Sequence, residues 1–244
     1  MKIQRLCLEA LSFGILLGLV SVQPVRAGAL DHLKPEEQER VKKGEQLPTY
    51  TMTPNSEWPE AKIYQRVSIK PIEAAAVFYD FELQPKYMPD IAEAKITKLS
   101  DDKKEIEVAY ALTVPMLGKQ RYTVLNHLGK VQAEGGADGY KIVWTYVTSD
   151  ASIKDIQGQV EFYAIDKDNP ADKDEKDTLM VYTNLITPGR GVPTRGPLGD
   201  WVKKKAKENI ENATNQIAKQ MNDEKPNQPK LLQEQLERLQ AALQ

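Results

Sequence analysis

The chain predicts an α+β fold, a curved antiparallel sheet of about seven strands closed by one long C-terminal helix, with two short helices after the first strand. Three observations lead there. Six strand-like segments run between residues 91 and 187 without a long helix among them, the pattern of an antiparallel meander. In the segment that follows, Trp201, Val202, Ala206, Ile210, Ala213, Ile217 and Met221 recur at steps of three and four, which places them on one helical stripe. Several strands also offer one apolar face, and this wall and the stripe can close on each other.

Taken in order, residues 1–27 read as a secretory signal. Lys2 and Arg5 lead, Leu11 to Val22 is apolar, Pro24 breaks the run, and Val25-Arg26-Ala27 offers a small-residue cleavage site. The mature start is expected at Gly28 and the protein is expected to be periplasmic or secreted. An uncleaved anchor is the alternative, but the apolar run is shorter than the roughly 20 residues a bilayer requires, and Glu9 precedes it. Residues 28–57 form a polar N-terminal extension. Lys34 to Arg40 is a short helical candidate, and the rest, with Pro48 and Pro54, is expected to pack loosely.

Residues 62–70 alternate Ile63, Val67 and Ile69 against Tyr64, Arg66 and Ser68, the period of a half-buried strand. Pro71 then opens an alanine-rich helix to Phe81, and residues 84–89 make a second short helix or turn. Strands follow at 91–99, 104–114, 120–128, 140–147, 156–165 and 178–187. The second is the clearest: Ile106, Val108, Tyr110, Leu112 and Val114 lie opposite Glu105, Glu107, Ala109, Ala111 and Thr113. Ile142, Trp144 and Tyr146 form a similar face, as do Val160, Phe162 and Ala164. The acidic stretch 166–177 is a solvated hairpin connection.

Pro197 suits the first turn of the terminal helix, with Asp200 as the competing cap. Residues 222–229 read as a linker, so that 58–223 forms one domain and 224–244 a linker and short amphipathic tail. In that tail Leu232, Leu236, Leu239 and Leu243 repeat like a heptad. Three fates are open to it: docking on its own domain, self-association as a weak coiled coil, or binding a partner.

Composition removes several classes of function. Cys7, the single cysteine, lies inside the signal, so disulfides, thiolate nucleophiles and cysteine metal sites are excluded from the mature chain. Residues 1–27 hold three of the 33 basic and one of the 35 acidic residues, leaving a formal charge of −4, which disfavours nucleic acid. His32 and His127 are not at metal-ligand spacing. The carboxylates of 166–177 lack the sixth-position glycine and twelfth-position glutamate of a calcium loop. No serine stands in a Gly-x-Ser-x-Gly elbow and there is no phosphate loop. Neither a cofactor nor a metal is expected.

Pro71-Ile-Glu-Ala-Ala-Ala-Val-Phe-Tyr-Asp80, Pro85-Lys-Tyr-Met-Pro89, Arg121-Tyr122 after Pro115, and Pro188-Gly189 to Val192-Pro193 occur in a telling order. That order, between Trp58 and Met221, resembles the START-like, or SRPBCC, helix-grip superfamily of lipid-transfer and polyketide cyclase-like domains. The chain departs from it by an extended Arg190 to Gly199 and by both tails. The resemblance implies a mostly apolar cavity between sheet and terminal helix. Tyr110, Leu112, Trp144, Tyr146, Phe162, Trp201 and Ile210 are its expected lining, with Tyr87 and Met88 near one end. The competing reading is that these side chains pack a closed core.

His127 and Arg121 are candidates to orient a ligand head group; the bland alternatives are a surface histidine and a structural ion pair from Arg121 to Glu105 or Glu107. Lys203, Lys204, Lys205 and Lys207 stand where positive charge opposes the helix dipole. With Arg190 and Arg195 they form a candidate membrane-facing rim, against the alternative of a solvated helix face. The function expected is an exported binder or carrier of a hydrophobic small molecule, most naturally a lipid. A cyclase-like enzyme using Tyr110, Tyr146 and Arg121 is the second reading, and a filled-core interaction module using the leucine tail the third.

Overall fold

The computed structural model describes residues 30–244 apart from 55, 89, 115–117, 133–137, 151–152 and 166–176. The segment expected to be an export signal, nearly all of the acidic connection, and Pro89 and Pro115 therefore lie outside the described residues. The elements run α1 (Pro35–Lys42), β1 (Leu47–Thr51), β2 (Glu60–Val67), α2 (Pro71–Tyr79), a 3-10 turn (Phe81–Lys86) and β3 (Ile91–Leu99). They continue with β4 (Glu105–Val114), β5 (Gly118–Gln132), β6 (Asp138–Ser149), β7 (Ile153–Ala164), β8 (Thr178–Pro188), α3 (Gly196–Asn227) and α4 (Pro229–Leu243).

All strands join one antiparallel sheet in the order β1-β2-β8-β7-β6-β5-β4-β3. Six of them form the expected meander, and β2 returns beside β8, so α2 and the 3-10 turn carry the chain from one end of the sheet to the other. Register shifts between Thr123 and Val124 and between Ile153 and Asp155 bend the sheet. Among the described residues the count is eight rather than seven because β1 pairs with β2, Leu47 opposite Tyr64 and Thr51 opposite Glu60.

The short helices start as their sequences dictate. Pro71 occupies the first turn of α2, where its missing N–H costs nothing, and Glu73 Oε2 accepts from the Lys70 N–H at 2.9 Å. Ala74, Ala75 and Ala76 are fully buried, so their small side chains let α2 pass close beneath the sheet. There Phe78 packs on Phe162 and Trp144.

The N-terminal extension departs from its expected loose packing. Leu30, Leu33, Val41 and Leu47 cover the outer face of the sheet over Tyr64, Tyr163, Leu179 and Val181, forming a second small core. Each anchor stands alone in a polar stretch, so no periodicity announced it. The expected linker is also corrected. α3 runs through Met221 to Asn227, with Pro226 in its last turn; Gln228 alone separates it from α4, which Pro229 opens.

The leucine tail docks on its own domain. Leu232, Leu239 and Ala242 are buried in the main core, Leu236 and Leu243 pack against it, and Arg238 reaches Asp80 at 2.6 Å. Self-association through Leu232, Leu236, Leu239 and Leu243 would have to compete with this docking, because those side chains are already buried in or packed against the main core. Burial of each such leucine stabilises by about 1.5–3 kcal/mol.

Candidate ligand-binding cavity

The stripe of α3 divides in two. Ile217, Ala218 and Met221 sink into the core against β2 and α2, whereas Trp201, Val202, Ala206, Ile210 and Ala213 are only half-covered or exposed. Between this N-terminal half and the inner face of the sheet lies a cavity of about 350 Å³. Its walls come from α3, from the inward side chains of β4 to β8, from Phe78, Gln84, Met88 and Asp90, and from the loop Gly191 to Pro193.

The floor is a row running across four strands. Asn126 stands opposite Trp144, Trp144 opposite Gly158, and Gly158 opposite Asn184. The Trp144 indole lies over Gly158 and donates from Nε1 to Asn184 Oδ1 at 3.3 Å. Asn126 Nδ2 donates to the Ile106 carbonyl at 3.2 Å. Tyr110 stacks on Tyr122 at 5.2 Å, and its hydroxyl donates to Gln84 Oε1 at 2.9 Å. Burial pushes the phenols of Tyr110, Tyr122 and Tyr182 well above the usual tyrosine range, so all three stay neutral. Burial likewise raises the Asp90 carboxyl.

Of the residues expected to line a pocket, Met88, Tyr110, Leu112, Trp144, Trp201 and Ile210 stand on this wall. Phe162 does not; it is wholly buried behind Phe78. Tyr87 lies deep, its hydroxyl buried without a partner. Tyr146 is half-buried and donates its hydroxyl to Ser149 Oγ at 3.3 Å. Arg121 and His127 are corrected: β5 turns Tyr122, Val124, Asn126 and Leu128 inward, while Arg121 and His127 lie on the opposite face and are exposed. His127 Nδ1 lies 3.8 Å from Glu105, and the Arg121 N–H donates to Asp150. Glu107 pairs with Lys98 rather than with Arg121.

The lysines of α3 find partners. Lys204 and Lys205 pair with Glu208, at 3.8 and 2.6 Å, and Lys207 lies 4.3 Å from the centre of the Tyr50 ring. Arg190 and Arg195 are exposed on the loop beside the cavity, and Lys203 lines a small recess next to it. Trp58, Gln84, Tyr122, Asn126, Tyr182, Asn184 and Leu198 also line the cavity and were missed. Val124 and Leu128 carried the signal for Asn126, since residues of their parity face inward. Trp58, on a loop, gave none. Among the described residues no cluster of three or more metal-binding side chains occurs, and no helix is long and apolar enough to cross a membrane.

Comparison with known proteins agrees with this geometry. A STAR-related lipid transfer protein from Xanthomonas axonopodis superposes with a TM-score of 0.55 at 15% identity, over 72% of this chain and 93% of that one. The chain has the START-like, helix-grip fold. The START-like likeness extends to the lipid transfer and protein localization domain of human StarD13 (TM-score 0.50, 9% identity, 75% and 94% covered). It extends equally to the Zhui aromatase/cyclase from Streptomyces sp. R1128 (0.50, 10%, 68% and 94%). No protein-family model and no curated protein matches the sequence.

Proposed function

We propose that this START-like protein binds and carries a hydrophobic small molecule in the cavity beneath α3. The observation that carries the reading is the half-covered apolar stripe from Trp201 to Ala213 facing an apolar wall across 350 Å³. A helix face of this kind is normally driven against a core, and here a bound molecule would complete it. The fold's occurrence in lipid-transfer proteins supports a lipid-like cargo. Native mass spectrometry of the protein from its own source, with organic extraction, tests this: a stoichiometric hydrophobic molecule is expected. An empty protein that also takes up no apolar probe would overturn it.

The same proposal includes export through residues 1–27 and exchange at a membrane surface. Leu198 and Trp201, 49% and 37% exposed, flank the cavity on the first turns of α3, with Arg190 and Arg195 on the adjoining loop. Apolar side chains ringed by cations suit an anionic bilayer surface. Leu198→Ala with Trp201→Ala is expected to reduce co-sedimentation with phosphatidylglycerol-containing vesicles; undiminished sedimentation would remove this part. Sequencing of the N-terminus tests export, with Gly28 expected first.

A further inference from the structure

We infer that the cargo is an uncharged molecule carrying hydroxyl or carbonyl oxygen on its buried part, rather than a plain acyl chain or a two-chain phospholipid. This rests on the cavity reading above and deepens it. The polar part of the inner wall includes Gln84, Tyr110, Tyr122, Asn126, Tyr182 and Asn184, all uncharged. Among the described residues just two charged side chains line the cavity, Asp90 and Lys205, and Lys205 is held by Glu208 at 2.6 Å. A carboxylate or phosphate drawn inside would lose its hydration with no cation on the inner wall to replace it.

The neutral groups are also not exhausted by their neighbours. Asn126, 3% exposed, uses an N–H on the Ile106 carbonyl, which leaves its amide oxygen as an acceptor. Asn184, 5% exposed, uses its oxygen on Trp144, which leaves its NH2 as a donor. Trp58 Nε1 is buried at the wall with no partner. Hydrocarbon laid against these groups strips their water without replacing it, whereas a hydroxyl or carbonyl restores the lost bonds. The two asparagines are three strand spacings apart, roughly 14 Å, so they are separate contact points. The volume lies at the small end of ligand cavities, about 300–1,000 Å³, and fits one compact molecule.

Two near-isosteric probes separate the cases: 2-naphthol, which has a hydroxyl, and 2-methylnaphthalene, which has none. Dissociation constants are measured for the purified protein and for Asn126→Leu and Asn184→Leu, with hexadecanoate as a third probe. At least one substitution is expected to lower the 2-naphthol affinity about fivefold relative to that for 2-methylnaphthalene, as loss of one hydrogen bond requires. A ratio unchanged in both variants overturns the inference. If hexadecanoate binds while that ratio stays flat, the hydrophobic-carrier reading survives and this inference falls; if no probe binds, the carrier reading itself falls. Should the leucine variants not fold, side-chain amide resonances of Asn126 and Asn184 in the unsubstituted protein decide. They are expected to shift with 2-naphthol and not with 2-methylnaphthalene, and equal shifts overturn the inference.

Discussion

At Gly158 an added Cβ would come within 2.3 Å of the Thr183 carbonyl oxygen and 2.5 Å of Trp144 Cζ2. Neither backbone nor a packed indole can give way, so this glycine lets Trp144 lie flat across β7 and reach Asn184. Gly158→Ala is expected to cost about 1–3 kcal/mol in urea unfolding through overpacking. Gly129→Ala, whose new carbon would meet Lys141 side-chain atoms at 3.9 Å, is expected to be neutral within about 1 kcal/mol. Equal costs would contradict this account of the floor. Glu224 offers a second test. It is 1% exposed where α3 meets α4, its Oε2 accepts from Gln220, and its Oε1 has no partner. Burial, with a further push from Asp80, raises its carboxyl pKa above the usual range. A raised folded-state pKa means a contribution to stability that is complete below the unfolded value and lost as pH rises through the folded one. Glu224→Gln is therefore expected to raise the melting temperature at pH 7.5 and to lose that advantage below about pH 4, where the native side chain is also neutral. An advantage independent of pH would show that ionisation is not the cause.

Among the elements, α4 is the one whose role changed most between sequence and structure. Its leucine spacing was legible, but periodicity reports a face and not what covers it. The deciding contacts, Arg238 and Gln235 on Asp80 and Leu239 against α2, join residues more than 150 positions apart. Leu239→Ala is expected to destabilise by about 2–5 kcal/mol while the mass in light scattering stays unchanged. A change of mass with little loss of stability would instead favour an intermolecular helix. β1 was missed for a related reason: it is five residues long, contains Pro48, and is held by distant groups. Tyr50 donates to Glu211 at 2.5 Å, and Gln46 bonds both Gln65 and the Glu211 carbonyl, tying the edge strand to the middle of α3. The meander, by contrast, was legible almost to the residue at β3 because alternation is a local signal.

For the whole molecule, the fold was legible because the element order and the two complementary apolar surfaces are written in periodicity, whereas the cavity is a difference between two surfaces that do not quite meet. Side-chain alternation could place Tyr110, Leu112 and Trp144 on the inner face, but it treated Phe162, which is packed, in the same way. Separating them required the position of α2, which covers one end of the sheet and leaves the other to α3. Ala213 stands near that division, lining the cavity immediately before the buried half of the helix. A ligand present at a hundred times its dissociation constant stabilises by about 2.7 kcal/mol, or roughly 5–11 °C for a domain of this size. The unsubstituted protein is expected to show such a shift with a cargo recovered from it. Ala213→Phe would place a ring in the cavity without disturbing Ile217 or Met221, so its unliganded melting temperature should stay within about 3 °C while the shift disappears. A closed core gives the opposite pair of results: Ala213→Phe would overpack at a cost of about 1–3 kcal/mol, and the parent would show no shift to lose.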